Sequence, residues 1–425
     1  MKNKIYLMTI FCLLTGYCSN MLKAQTGPGG VAGASLWLKA DTGINSLEYF
    51  KVPGASRTAS TTYPVSYLAP SYSTIDSPNS WSSNTIDTNQ YLTLDLGSIQ
   101  PAYGVITQGR KDFDQWTKTY KISYSNDNVN YTDLSTTFSA NTDRSTKVVN
   151  IFPSVITARY IRIKVTDYYD RPSMRADVIK KLNTVSAENS MATVWLDQSG
   201  SNNHMIQADS IKRPIYLNTT SAVNFNPVLS FNGSNNELTD INGIFGTSTN
   251  NNAAAFVVSS VKTVQNSSIF FEIVKNQSNT DTQFNLHAPW GDNKMYWDSG
   301  PNRIETAWGG DVNTPYIWTG WNNASLSPNK TSLRRNGTEI ISGTTMNSYS
   351  GQNKPMYIGS TGGGSFYNGK MGEVIIFPTA LSAQDRIRVE SYLAFKYGIT
   401  LSRDSDNDNT PGEEVGTGSG IFEGD

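Results

Sequence analysis

Residues 35–45 read SLWLKADTGIN, and residues 193–204 read TVWLDQSGSNNH. Each sets a Trp among aliphatic residues, as a short buried strand does, and then turns polar around Asp and Gly. Residues 46–192 separate the two. The fold therefore has to explain why two fragments of one flavour stand so far apart.

The intervening segment is itself a series of strands. In YLTLDLGS, residues 91–98, Leu92, Leu94 and Leu96 share one face and Thr93 and Asp95 the other, the alternation of a half-buried strand. TYKISYSNDNVNYTDL, residues 119–134, repeats it through Tyr120, Ile122 and Tyr124, with an Asn/Asp cluster at 126–130 to turn a hairpin. RYIRIKVTDYY, residues 159–169, does so again at Ile161, Ile163 and Val165. No helical period intervenes, so the pattern predicts a β-sandwich or barrel.

A second β-rich series follows residue 190, from AAAFVVSSV to KMGEVIIF, and Asn336-Gly337 between apolar runs marks a hairpin. One helix is expected in LSAQDRIRVESYLAFKYGI, residues 381–399. Ser382 and Asp385 resemble a capping box, Val389, Tyr392, Leu393 and Tyr397 line one face, and Gly398 closes the last turn. The fold class is therefore all-β, with a C-terminal helix laid on a sheet.

Lys2 and Lys4 precede an apolar stretch from Ile5 to Tyr17, which reads as a secretory leader over residues 1–24 with cleavage near Ala24. Its apolar run of roughly a dozen residues falls short of the ~20 that a membrane span needs, and no later segment comes nearer. A secreted or cell-surface protein without a transmembrane segment is expected. Cys12 and Cys18 both lie in the leader, which leaves the mature chain no disulfide or thiolate metal site. Lipidation at Cys18 wants a small residue where Tyr17 stands. The formal net charge of −1 argues against nucleic acid as a partner. With 16% charged and 11% aromatic residues, the composition suits a secreted all-β protein. Residues 401–425, acidic and glycine-rich, read as a flexible tail.

Residues 50–182 resemble the discoidin domain, the coagulation-factor F5/8 type C module. The resemblance is carried by SYLAPSYSTIDSPNSWSSNTIDTNQYLTLDLGS, GVITQGRKDFDQWTKTYKISYSNDNVNYTDL, NTDRSTKVVNIF and ITARYIRIKVTDYYDRPSMRADV, in the family's order. It implies a jelly-roll sandwich whose loops at one end bind glycans, phospholipid head groups or proteins. The flanking cysteines of animal members are absent here, and no opening strand is evident before Val52. Residues 30–48 and 188–400 resemble the concanavalin A-like, laminin-G-like jelly rolls of secreted bacterial proteins. That likeness rests on LWLKADTGI, VWLDQSGSNNHMIQ, RPIYL, PVLSFNG and the closing YIGSTGGGSFYNGKMGEVIIFPTALSAQDRIRVESYLAFKYGITL. In such proteins the first two belong to one domain with a short connection between them. The resemblance thus implies a discoidin-like guest in a loop of a jelly-roll host, which loop-closure entropy tolerates because it grows slowly with length.

Glycan recognition takes an aromatic ring against the apolar face of a sugar and planar polar groups for its hydroxyls. The guest's loops offer Trp81, then Arg110, Asp112 and Trp116, then Tyr168, Tyr169 and Arg171 as ligand-binding residues. The competing reading has Trp81 and Trp116 plugging the sandwich ends, and Arg110 and Arg175 tying loops to carboxylates. A phospholipid surface would use Tyr67, Leu68, Arg110, Lys111 and Phe113, but the near-neutral charge disfavours it. In the host, Asp197, Gln198, Asn202, Asn203 and His204 crowd one turn. They read first as side chains satisfying a tight loop and second as calcium or sugar contacts. His287 stands alone and reads as a hydrogen-bonded sandwich residue.

The sequence lacks the E-x-D-x-x-E run that glucanases of this shape carry, and Glu237, Asp240 and Glu373 have no partner at that spacing. No nucleophile elbow or thiol is present either, so a non-catalytic protein is expected. Asp404, Asp406 and Asp408 alternate as calcium ligands do, although Asn409 and Val415 stand where an EF-type loop wants Gly and an acid. They read either as the start of a thrombospondin-type repeat holding structural calcium or as a solvated acidic tail; no organic cofactor is expected. The expected function is glycan binding or adhesion on cell-surface polysaccharide, with other surface proteins as further partners. The alternative is a structural or protein-interaction scaffold without a glycan site. Phospholipid binding and a glycoside hydrolase accessory role rank below both.

Overall fold

A computed structural model describes residues 27–218, 223–245, 249–273, 284–300, 302–344, 349–350 and 354–402. The leader with its two cysteines, and Asp404, Asp406 and Asp408, lie outside them. Among the described residues the chain is all-β, with two large antiparallel sheets and one α-helix, Ala383–Tyr397.

The strand Leu36–Lys39 pairs with Asn368–Phe377, Leu36 opposite Ile376 and Leu38 opposite Val374. Both leucines are fully buried in a core with Trp195, Leu229 and Phe231. Leu92, Leu94 and Leu96 occupy a different core, with Tyr120, Ile122 and Ile161. The second fragment is stapled onto the first. Asp197 Oδ1 accepts the Trp37 N–H at 2.8 Å, the Gln198 N–H donates to the Trp37 carbonyl at 2.8 Å, and Asn203 Nδ2 donates to the Ser35 carbonyl at 2.7 Å. Asp197 also accepts from the Ser199 hydroxyl and from the Asn203 N–H. These side chains satisfy the backbone of a tight loop and of the strand beside it. Asp197→Ala strips several donors of their acceptor at once, and urea unfolding should show a loss of about 2–3 kcal/mol. An unchanged midpoint would mean that the two fragments hold together without this side chain.

The seam between the two cores is a single strand. Ile44 and Asn45 of the strand Ile44–Phe50 pair with Trp195 and Val194, while Asn45 to Phe50 pair with Thr184 to Val178. Residues 48–50, where the two resemblances meet in the sequence, therefore lie within this one strand. Tyr49, Ile151, Ile179 and Leu182 gather there with Ile206 and Ala208, so residues on both sides of this strand share one apolar cluster.

The strand Ile44–Phe50 supplies an opening strand before Val52 that the sequence did not reveal, and the segment after it is held by side chains. Buried Arg57 pairs with buried Asp177 and donates to the Val52, Ser73 and Ala176 carbonyls. Asp177 in turn accepts from the Val52 N–H, the Thr74 hydroxyl and the Ile75 N–H. A buried ion pair is tolerable only when its remaining hydrogen-bonding positions are filled this way. In the host, the Ser382 hydroxyl caps the Asp385 N–H and Gly398 ends the helix in the left-handed region at φ 61°. Val389, Leu393 and Tyr397 pack on Phe256, Ile375 and Phe377, as the periodicity predicts.

Candidate functional site

Four loops meet at one end of the guest: residues 109–115, 140–147, 170–172 and the stretch around 77–85. Buried Arg175 clasps three of them from below. Its guanidinium donates to the carbonyls of Gly109, Ser77 and Arg144 at 2.9, 3.0 and 2.6 Å, so it ties loops to backbone carbonyls and not to carboxylates.

The seven residues proposed from sequence divide by burial. Trp81 is wholly inside, pairs with Met174 and donates its Nε1–H to the Thr61 carbonyl at 2.9 Å, so it has no ring face for a ligand. Tyr168 packs against the guest core and is part of its wall. Trp81 is a correction: a large ring at the end of a strand is drawn inward to close the sandwich, whereas Tyr168 is only half-buried, as Trp116 is. Arg171 is held by the loop opposite, donating to the Ser83 and Asn84 carbonyls at 2.8 and 3.0 Å with Tyr63 under its guanidinium. Arg110 is buried and grips Asp112 with two bonds of 2.7 and 3.0 Å.

What faces outward is compact. Trp116 and Tyr169 sit opposite each other on paired strands and stack, 4.5 Å between centroids and 10° between planes, with Tyr169 51% exposed. Asp112 is half-exposed and fixed by Arg110. The Arg110 hydrogen bonds, against a smaller opposing effect of burial, hold its carboxyl below the usual carboxylate range. Arg110 also donates to Gln115 Oε1 at 2.9 Å, and Gln115 Nε2 donates to Asp170 Oδ2 at 2.6 Å. A network Asp112–Arg110–Gln115–Asp170 thus braces the loop bearing Asp112 against the turn next to Tyr169. Gln115 and Asp170 carried no sequence signal, because neither is aromatic or charged in a pattern that marks a loop brace. Phe113 is exposed at the tip, over Arg110.

A cleft of about 1550 Å³ separates the two sandwiches, lined on the guest side by residues such as Thr137, Asn141 and Lys147 and on the host side by His204, Arg213 and Tyr357. Basic and acidic side chains line it in nearly equal number. Among the described residues no three His, Cys, Asp or Glu side chains gather where a metal ion could sit, and no helix is long and apolar enough to cross a membrane.

Residues 56–178 match the F5/8 type C domain family. This segment is an F5/8 type C domain. Among similar proteins, discoidin-2 of Dictyostelium discoideum is 37% identical over 105 residues, which are 24% of this chain and 41% of that protein. Retinoschisin of Takifugu rubripes is 34% identical over 113 residues, covering 25% of this chain and 40% of the relative. Lactadherin of Bos taurus is 30% identical over 145 residues, covering 30% and 34%. The chain therefore spans between about a third and two fifths of the length of these curated relatives. Among solved structures, recombinant discoidin II of Dictyostelium discoideum aligns over 75% of this chain and 92% of its own, at 16% identity and a TM-score of 0.28. That likeness is too slight to extend the assignment beyond the matched segment.

Proposed function

We propose that this is a secreted, non-catalytic carbohydrate-binding or adhesion protein. In this reading the F5/8 type C domain is nested in a laminin-G-like jelly roll and takes a sugar ring at the Trp116–Tyr169 stack beside Asp112. The observation that carries it is the stack with its braced carboxylate: a rigid, half-exposed aromatic pair next to an acceptor already fixed by Arg110. Groups ordered before a ligand arrives lose little freedom on binding it, so such a patch suits a weakly hydrated sugar face and its hydroxyls. One site of this kind binds modestly, and repetition on a polysaccharide surface adds avidity.

A glycan array followed by titration of the best hit tests the reading. Tyr169→Ala and Asp112→Ala should each weaken binding about tenfold, equivalent to about 1.4 kcal/mol. A hit that neither substitution changes removes this site, and an array without hits favours the scaffold. Exposed Phe113 and Tyr67 favour lipid, whereas Leu68, expected beside them, is buried. Phosphatidylserine vesicles that bind wild type and lose Phe113→Ala would redirect the reading to a membrane surface.

A further inference from the structure

We infer that a sheet face of the F5/8 type C domain, remote from its loops, holds a second site that binds the carboxylates of an acidic polysaccharide. The strand Val148–Tyr169 lies there between Tyr91–Gln108 and Trp116–Ser125. Register sets Ile163 beside Leu92 and Ile122, and all three are in the domain core. Side chains alternate across a sheet, so Tyr91, Thr93, Arg162, Lys164, Lys121 and Ser123 lie on the other, outer face.

The Arg162 guanidinium is clamped on that face. Its carbon lies 4.1 Å from the Tyr91 ring centroid and 3.7 Å from that of Tyr131, and its Nε donates to Thr93 Oγ1 at 3.0 Å. Thr93 and Ser123, beside Arg162 in the register, are only 2% and 1% exposed although they belong to the outer face. Rings on two sides and Thr93 at Nε leave the terminal nitrogens as what this half-buried side chain offers a ligand. A guanidinium fixed in this way has little freedom left to lose on binding.

Charge completes the site. Lys164 follows Arg162 by two residues on the same strand and face, about 7 Å along, and Lys121 lies directly opposite Lys164. Like charges set opposite each other in a sheet are unfavourable. Asp133 accepts from the Ser123 hydroxyl and from Lys164 Nζ at 3.0 Å, and these bonds hold its carboxyl below the usual carboxylate range against a smaller effect of burial. Among the described residues Arg162 and Lys121 pair with no carboxylate. Three cations around one carboxylate leave an excess of two positive charges, on a chain whose formal net charge is −1. An anionic ligand relieves that excess.

The planar fork of an arginine takes a carboxylate through two hydrogen bonds, and the flanking tyrosines offer rings to the sugar that bears it. A chain of uronate sugars then brings a further carboxylate to the two lysines. The cations are too few to track the dense phosphates of a nucleic acid. Seven residues of one strand, about 23 Å, separate Arg162 from Tyr169, so the site is distinct from the Trp116–Tyr169 stack.

The test uses the full chain carrying Tyr169→Ala, so that the loop site is silenced. Polygalacturonate and alginate are each titrated calorimetrically at low salt. At least one should bind, and adding Arg162→Gln or Lys121→Glu should weaken that binding tenfold or more. Raising sodium chloride to about 1 M, where the screening length is about 3 Å, should abolish it. Lys121→Glu leaves the Tyr91–Arg162–Tyr131 clamp intact, so it decides the matter should Arg162→Gln fail to fold. Absence of polyuronate binding, or binding that neither substitution alters, overturns the inference. So does tighter binding to phosphatidylserine vesicles or duplex DNA that the same substitutions remove. The glycan array on wild type separately judges the loop site.

Discussion

Glu373→Ala should lower the stability of the larger sandwich by about 3–5 kcal/mol, the usual result of removing one member of a buried charge pair. Glu373 is fully buried on the closing strand. It accepts from Trp37 Nε1 at 2.6 Å, Lys396 Nζ at 2.7 Å, Tyr392 OH at 3.0 Å and Tyr397 OH at 3.3 Å. Three separate parts of the chain, the opening fragment, the last strand and the helix, thus share one carboxylate. Burial, and then the Glu373 charge, push the Tyr392 and Tyr397 hydroxyls far above their ordinary range, so both stay protonated donors at any working pH. Removing Glu373 leaves Lys396 with only Asp41, at 3.2 Å, and strands three other buried donors. Chemical unfolding followed by tryptophan fluorescence measures the loss. A midpoint within error of wild type would show that the helix is held by its apolar face alone.

Asp240→Asn should act in the opposite direction, raising stability above neutral pH. Burial pushes the Asp240 carboxyl up to about 7, with Asp197 adding to the rise, while one oxygen accepts from the Asn242 N–H and the other has no partner. The folded state therefore holds a proton that the unfolded chain releases near pH 4. Stability contributed by this group is present below about pH 4, falls as pH rises, and is gone once pH passes about 7. The expected difference between those limits is on the order of 4 kcal/mol. An amide keeps the shape and the acceptor for Asn242 but cannot ionise. Wild type and Asp240→Asn should match at pH 4, and the variant should melt higher at pH 8. Parallel curves from pH 4 to 8 would rule out Asp240 as the source. Because Asn242 Oδ1 also accepts the Ser139 N–H of the guest at 3.3 Å, this carboxyl sits where host meets guest.

Local pattern was enough wherever one residue's neighbours in sequence decide its environment. The alternation at Leu92, Leu94 and Leu96, the Asn336-Gly337 hairpin, and the capped helix at 382–398 all appear where the periodicity places them. The Asp197 turn was also legible, because Asp, Ser and Asn satisfy nearby backbone by short-range geometry. The candidate site was legible only in part. Asp112, Trp116 and Tyr169 face outward, but nothing local separates exposed Tyr169 from its neighbour Tyr168, which a strand irregularity near residues 117–119 turns toward the core. Trp81 is equally ambiguous, since a Trp in a polar loop reads the same whether it caps a core or meets a ligand.

By itself the sequence determined the all-β class, the strands and their faces, the helix with both caps, and the F5/8 type C segment. Those follow from periods of two and of 3.6 residues and from turn chemistry, which act over a few positions. Only the tertiary structure decided the rest. It brought Trp37, Glu373 and Lys396 to one point, made Ile44–Phe50 a strand shared by both sandwiches, and aligned Thr239, Tyr357, Glu272, Asn285, Asp298 and Arg303 across six strands. These depend on strand order and register, between hairpin neighbours in that polar row and between segments 336 residues apart at Trp37 and Glu373, and a one-residue slip in any pairing of the row would turn its side chains into the core.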